Sequence, residues 1–348
     1  MPGKSALRAC GAALMLVASL AFARAGEGKF IPAPNRVDMA YDDAHGVLYI
    51  SSTDSQILRY QLSTGTFLSP IIIDGNYVMG MDLSPDGKTL AAAQLSYDLD
   101  NHQNWIRLID LDTLAVQTVR FDQAFGEGGT FTVNYGSNGK IVVASVFNGS
   151  AGKVPLRLYD PAAGTTSTIA QVNSRVMLAH NPSRTVLAFV EGDNGNGPYG
   201  KYLPGNGYYK AVGEQLFEGG TGAYNYEIGV NRDQTYFAIP TVYGTYIADK
   251  ALDLIGLLVP QSAKPPVAAV FHPKKPLLYL PVQDTKNVLV YDTTTWQAVD
   301  IFRFDETFGH NGNYAFGDGR EKLSKDGRLL FVNVTGGVRY VKTRHGRH

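Results

Sequence analysis

The chain predicts an all-β fold, a seven-bladed β-propeller whose ring is closed by its N-terminal strand. Three observations carry that prediction. One unit recurs seven times along nearly the whole length. Apolar and polar residues alternate within each unit at the period of a strand. No stretch holds a helical period of useful length.

The recurring unit is a polar tight turn followed by an aliphatic run. Its copies are "DDAHGVLYI" from Asp42, "SPDGKTLAA" from Ser84, "GSNGKIVVA" from Gly136, "NPSRTVLAF" from Asn181, "NRDQTYFAI" from Asn231, "HPKKPLLYL" from His272 and "SKDGRLLFV" from Ser324. The runs centre near Tyr49, Ala91, Val142, Leu187, Phe237, Leu278 and Leu330. Their separation, about 40–50 residues, is that of one four-stranded propeller blade.

Taken in order, residues 1–25 read as a secretory signal peptide. A basic start, "MPGKSALR", precedes the apolar "ACGAALMLVASLAF", and "ARA" ending at Ala25 fits a small-residue cleavage site. The mature protein is therefore expected in the periplasm or outside the cell. Cys10 is the only cysteine and leaves with the leader. Disulfides, thiolate metal sites and cysteine nucleophiles are thus excluded from the mature chain, which must be held by its core. Loss of Lys4, Arg8 and Arg24 leaves 28 basic against 31 acidic residues. That balance argues against nucleic acid as a partner. No later apolar run is long enough to predict a membrane span.

The domain is expected over residues 26–343, with a basic tail at 344–348. The seventh copy, "EKLSKDGRLLFVNVTGGVRYVKTR", has room for only three strands. The segment "GEGKFIPAPNR" at the mature N-terminus is predicted to supply the fourth by pairing with "VRYVKT", so that no sheet edge is left open there. After each aliphatic run a further strand follows, as in "NWIRLIDLDTL", "VPLRLYDPAAG" and "KNVLVYDTTTW". Asp110, Asp160 and Asp292 at the ends of these strands read as turn formers, accepting from backbone amides two residues on.

The extra length lies in loops. Strands A to D of a blade run outward and antiparallel, so B–C loops and D–A connections share one face. The long B–C pieces are "QLSYDLDNHQN" from Gln94, "VFNGSAGKV" from Val146 and "EGDNGNGPYGKYLPGNG" from Glu191. The long D–A pieces are "FDQAFGEGGTF" from Phe121, "FEGGTGAYNYE" from Phe217 and "FDETFGHNGNYAFGDG" from Phe304. Variable loops on one side of a rigid ring predict a binding face at the channel mouth. In the D–A connections an aromatic stands just before the inner strand: Tyr77, Phe131, Tyr224 and Tyr314, with Arg175 at a corresponding place. Together with Tyr226, Glu227, His310 and Asn313 they form the candidate ligand-binding set. Such rings suit a carbohydrate, a lactone, another small molecule or a protein side chain; they equally suit packing between blades.

Chemistry is sparse. Asp98 and Asp100, with Asn101 and His102, and Asp193, with Asn194 and Asn196, are the oxygen-rich loops that would suit a divalent cation such as calcium. Both read more simply as polar loops, and no cofactor is predicted. His45, His180 and His272 read as turn residues. His310 lies near Asp305, Glu306 and Asp318, a setting for a general base, and Glu227 is the other candidate acid or base. No Gly-x-Ser-x-Gly elbow, phosphate loop or His-Glu-x-x-His occurs.

The phrases "MDLSPDGKTLAAA", "AVFHPKKPLLYLPVQDTKNVLVYDTTTWQAV" and "LSKDGRLLFVNV" resemble the YVTN and WD-type bacterial propeller repeats. "LYIS", "LYLP" and "LFVN" stand where the Tyr-Val-Thr-Asn tetrapeptide would. The resemblance implies the propeller fold and a choice of roles: binding or scaffold protein, lactonase-like hydrolase, or propeller subunit of a periplasmic dehydrogenase. Fold alone does not choose among them. The residues favour the non-catalytic binding module.

Overall fold

The computed structural model describes residues 27–149, 152–191, 197–213, 226–309 and 316–344. The described residues form seven four-stranded antiparallel sheets and no helix. Blade one holds β2 (Arg36–Asp42), β3 (Val47–Ser52), β4 (Gln56–Gln61) and β5 (Thr66–Ile72). Blade two holds β6 (Val78–Leu83), β7 (Thr89–Asp98), β8 (Gln103–Asp110) and β9 (Val116–Asp122). In blade three they are β10 (Glu127–Tyr135), β11 (Ile141–Phe147), β12 (Lys153–Asp160) and β13 (Thr165–Asn173). Blade four has β14 (Met177–His180), β15 (Leu187–Val190), β16 (Tyr199–Leu203) and β17 (Tyr208–Val212). Blade five has β18 (Gly229–Val230), β19 (Tyr236–Thr241), β20 (Gly244–Asp249) and β21 (Leu254–Leu258). Blade six has β22 (Val270–Phe271), β23 (Leu277–Pro281), β24 (Asn287–Asp292) and β25 (Gln297–Arg303). Blade seven takes β26 (Glu321–Leu323), β27 (Leu329–Val334) and β28 (Gly337–Lys342) from the end of the chain, and β1 (Lys29–Pro32) from its start.

The ring closes as the sequence predicts. β1 pairs antiparallel with β28, Lys29 opposite Tyr340 and Pro32 opposite Gly337. Ile31 is thereby fully buried between blades seven and one.

Seven apolar clusters, one between each pair of neighbouring blades, make the core. The second strand of each blade explains why the aliphatic run carries no polar residue at its centre. Leu48 and Ile50 of β3 face blade seven, while Val47 and Tyr49 face blade two. In β7, Leu90 and Ala92 face blade one, whereas Ala91 and Ala93 face blade three. Side chains alternate across a strand, and here both faces are covered by another blade.

In the tight turns of blades two, four, five and seven the first turn residue caps the start of the next strand with its own side chain. Ser84 Oγ accepts from the amide of Thr89 at 2.9 Å, Asn181 Oδ1 from Val186 at 3.1 Å, and Asn231 Oδ1 from Tyr236 at 3.0 Å. His272 Nδ1 accepts from Lys274 and Lys275 at 3.0 and 2.9 Å. The expected outer turn formers are also in place. Asp110 accepts from Thr113, Asp160 from Ala162 and Asp292 from Thr294 through backbone amides, and Asp249 does the same in blade five.

Three expected long loops prove shorter, because strands continue into them. "QLSYDLDNHQN" carries most of a hairpin extension: after an irregularity between Ala93 and Tyr97, pairing resumes at Tyr97–Asn104 and Asp98–Gln103. "FDQAFGEGGTF" reduces to residues 123–126, since β10 begins at Glu127. "EGDNGNGPYGKYLPGNG" contains the whole of β16 and the turn after it.

Candidate functional site

The chain order of the strands puts the B–C hairpins and D–A connections on one face and the A–B and C–D turns on the other. Inner strands line the axis between them. In blades one to three these have seven, six and nine residues; in blades four to seven they have four, two, two and three. Charged side chains from both halves of the ring meet at the axis.

Arg320, just before β26, lies against Asp38 of β2 and within 3.3 Å of the Glu227 carboxylate. Lys322 approaches the same Glu227 oxygen at 2.9 Å. Backbone amides complete the cluster: Met81 donates to Asp38 at 2.8 Å and Glu321 to Glu227 at 2.8 Å. Burial by itself would lower the Arg320 guanidinium, but Asp38 and Glu227 outweigh it and hold the charge. Glu321 differs. It is fully buried, and neither carboxyl oxygen has a hydrogen-bond partner among the described residues. Burial, and then the adjacent Glu227 carboxylate, push its pKa well above the usual glutamate range.

A second cluster spans blades two and four. Arg184 grips the Asp82 carboxylate with two nitrogens, and His180 Nε2 lies 3.3 Å from it. The amide of Tyr135 donates to Asp82 at 2.8 Å. Burial pushes Asp82 upward, but Arg184 and His180 prevail and hold it well below the usual carboxylate range. Arg184 occupies the turn position that glycine fills in blades two and three, with φ of 56° against 75° at Gly87 and Gly139. The left-handed conformation is unfavourable for arginine, and the ion pair offsets it.

The structure sorts the predicted site residues sharply. Phe131 is core: it is 5 % exposed and packs edge-on to Phe316, centroids 5.0 Å apart. Glu227 belongs to the axial ion cluster and is 4 % exposed. Tyr226 is buried beside it. Asp98 closes its own turn, accepting from the amides of Asp100 and Asn101 at 3.0 Å each and from the Asn101 side chain at 2.8 Å. Asp100 is exposed at the tip of that hairpin. No group of three acidic, histidine or cysteine side chains suited to a metal occurs among the described residues. Arg175 and Tyr77 are exposed on the expected face. Tyr224, His310, Asn313, Tyr314 and Asp193 lie outside the described residues.

Around Tyr77 the structure adds residues that sequence reasoning passed over. Three segments of blade two are sewn together there. The amide of Leu95 donates to the Tyr77 carbonyl at 3.0 Å, and that of Asn76 to Ser96 Oγ at 2.7 Å. The amide of Gln123 donates to the His102 carbonyl at 2.8 Å. On this ledge Tyr77, Tyr97, Leu99 and Phe125 are all exposed, Phe125 at 97 %. A phenylalanine that open has no packing role, and grouped exposed apolar side chains mark interaction surfaces. The legible signal was Phe125 itself, an aromatic between Ala124 and Gly126 in a four-residue connection with no core position to fill.

No helix among the described residues is long and apolar enough to cross a membrane. No protein-family model matches the chain, and no curated protein matches it. What the structure establishes is the architecture: the chain is a seven-bladed β-propeller, closed by its own N-terminal strand.

Proposed function

We propose that this chain is an exported, non-catalytic binding or scaffold module that engages a protein partner on the loop face of the ring. The observation that carries the reading is the ledge of Tyr77, Tyr97, Leu99 and Phe125 on blade two, apolar, exposed and fixed by backbone hydrogen bonds. Rigid aromatic anchors of this kind contribute most of the energy of a protein interface when covered. The acids nearest the axis support the same reading: Glu227 and Asp38 are engaged by Arg320, and Glu321 is sealed from solvent.

The test is capture from the periplasmic or secreted fraction with the mature chain as bait. A Tyr77→Ala, Leu99→Ala, Phe125→Ala variant serves as the control. A stoichiometric protein retained by the native chain and lost with the variant supports the reading. Equal retention by both baits removes the ledge from it, and turnover of lactone substrates by the purified chain would favour a hydrolase instead.

A further inference from the structure

On the opposite face, that of the short turns, a groove of about 690 Å³ runs between blades two and three. Its volume falls in the range of small-molecule sites. We propose that it binds a small alkyl diamine, a ligand with two ammonium groups on an aliphatic stem.

Three features of the lining carry this. The only charged side chains lining it are Asp86 and Asp110. Each spends one oxygen on its own turn. Asp86 Oδ1 accepts from the Ser84 hydroxyl at 2.5 Å and from the Lys88 amide at 3.1 Å; Asp110 Oδ1 accepts from the amides of Asp112 and Thr113 at 3.1 and 2.8 Å. In both, Oδ2 has no hydrogen-bond partner among the described residues. Those turn contacts hold both carboxyls below the usual range, so both are ionised at neutral pH.

Tyr135 is the second, independent feature. Its side chain is only 3 % exposed, yet it lines the groove, and its phenol has no hydrogen-bond partner among the described residues. Burial, and then the Asp82 charge, push the phenol upward, so it stays a neutral hydroxyl able to accept an N–H. The phenol oxygen is reached from the groove and not sealed in the core, so an N–H presented there can meet it.

Between these groups the wall is aliphatic, with Leu108, Val116 and Pro161 lining it. Val116 is 39 % exposed. A methylene stem would cover that wall while its charged ends reach carboxylates, the arrangement long cationic side chains adopt at protein surfaces. The site is independent of the ledge, which lies on the other face.

Calorimetry of the mature chain with cadaverine, pentylamine and neutral pentanediol tests the assignment. Saturable cadaverine binding is expected, with pentylamine weaker and pentanediol silent. The Asp86→Asn, Asp110→Asn double variant keeps both turn-capping oxygens and should bind cadaverine about tenfold or more weakly, as expected when charge-assisted contacts become neutral ones. Tyr135→Phe should also weaken binding while leaving the melting midpoint within the range of the native chain. No saturable cadaverine binding, equal affinity for pentanediol or pentylamine, or unchanged affinity in both variants overturns the proposal.

Discussion

The main-chain amide of Glu321 in blade seven donates to the Glu227 carboxylate of blade five, 2.8 Å away. Two blades that are not neighbours in the ring thus touch directly, past an inner strand of blade six only two residues long. Blades two and four do the same through Asp82, Arg184 and His180. These charged ties link inner strands of different blades across the axis. Five consequences can be measured.

Removing Arg320 should be costly. Arg320→Met would leave Asp38 and Glu227 buried with one cation fewer, and breaking a buried pair in this way costs about 3–5 kcal/mol. Urea denaturation measures it. A loss near zero would mean that water reaches the cluster freely.

Glu321 should make stability fall as pH rises. Its folded-state pKa is raised, so the native chain holds the proton more tightly than the unfolded chain. The contribution is fully present below the unfolded value of about 4.3 and is lost as pH rises through the folded value. Glu321→Gln should therefore change the melting midpoint little at acidic pH and raise it increasingly toward alkaline pH. Parallel midpoint curves for the two proteins would contradict this.

His272 has the opposite sign. Burial, and then the charge of Lys275, lower its pKa to about 4, in keeping with an Nδ1 that accepts two amides. Stability from this group is present above the unfolded value of about 6.5 and is lost as pH falls through about 4. Asparagine caps the same turn position in blades four and five. His272→Asn should fold and should flatten the stability profile between those two pH values.

Ring closure depends on few residues. Deleting residues 27–34 should lower the melting midpoint of the whole domain, because β28 and the cluster around Ile31 would be exposed together. Ile31→Ala alone should cost about 2–4 kcal/mol through the cavity it leaves. An unchanged midpoint after the deletion would show that the ring stands without its latch.

Phe131 and Tyr77 should separate cleanly. Phe131→Ala should destabilise by about 3–5 kcal/mol, as large core truncations do. Tyr77→Ala should stay within about 0.5 kcal/mol of the native chain and lose partner retention instead. Equal destabilisation by both would return Tyr77 to the core.

Both residues precede or enter an inner strand and looked alike as sequence. They part because β10 begins at Glu127, inside the loop-like "GEGG", carrying Phe131 into the cluster between blades two and three. The bulged register of β10 against β11, irregular between Glu127 and Thr132, is set by the partner strand and leaves no local pattern. In the same way Gln94–Asp98 read as loop because its buried polar residues, Gln94 and Ser96, are held by hydrogen bonds with Asp74, Trp105 and Asn76 and leave no apolar pattern.

The sequence by itself determined the blade count, the turn chemistry and the latch. The first two rest on contacts between residues close along the chain, or on a period of two that any covered strand must keep. The latch joins the two ends of the chain, and it was legible because the last copy has room for only three strands. The tertiary structure alone decided which acids lie on the axis and what neutralises them. Arg320 and Asp38 are 282 residues apart, and Arg184 and Asp82 are 102 apart. Such pairs form because closing a ring of seven brings distant inner strands to one centre, where a buried charge must find its counterpart.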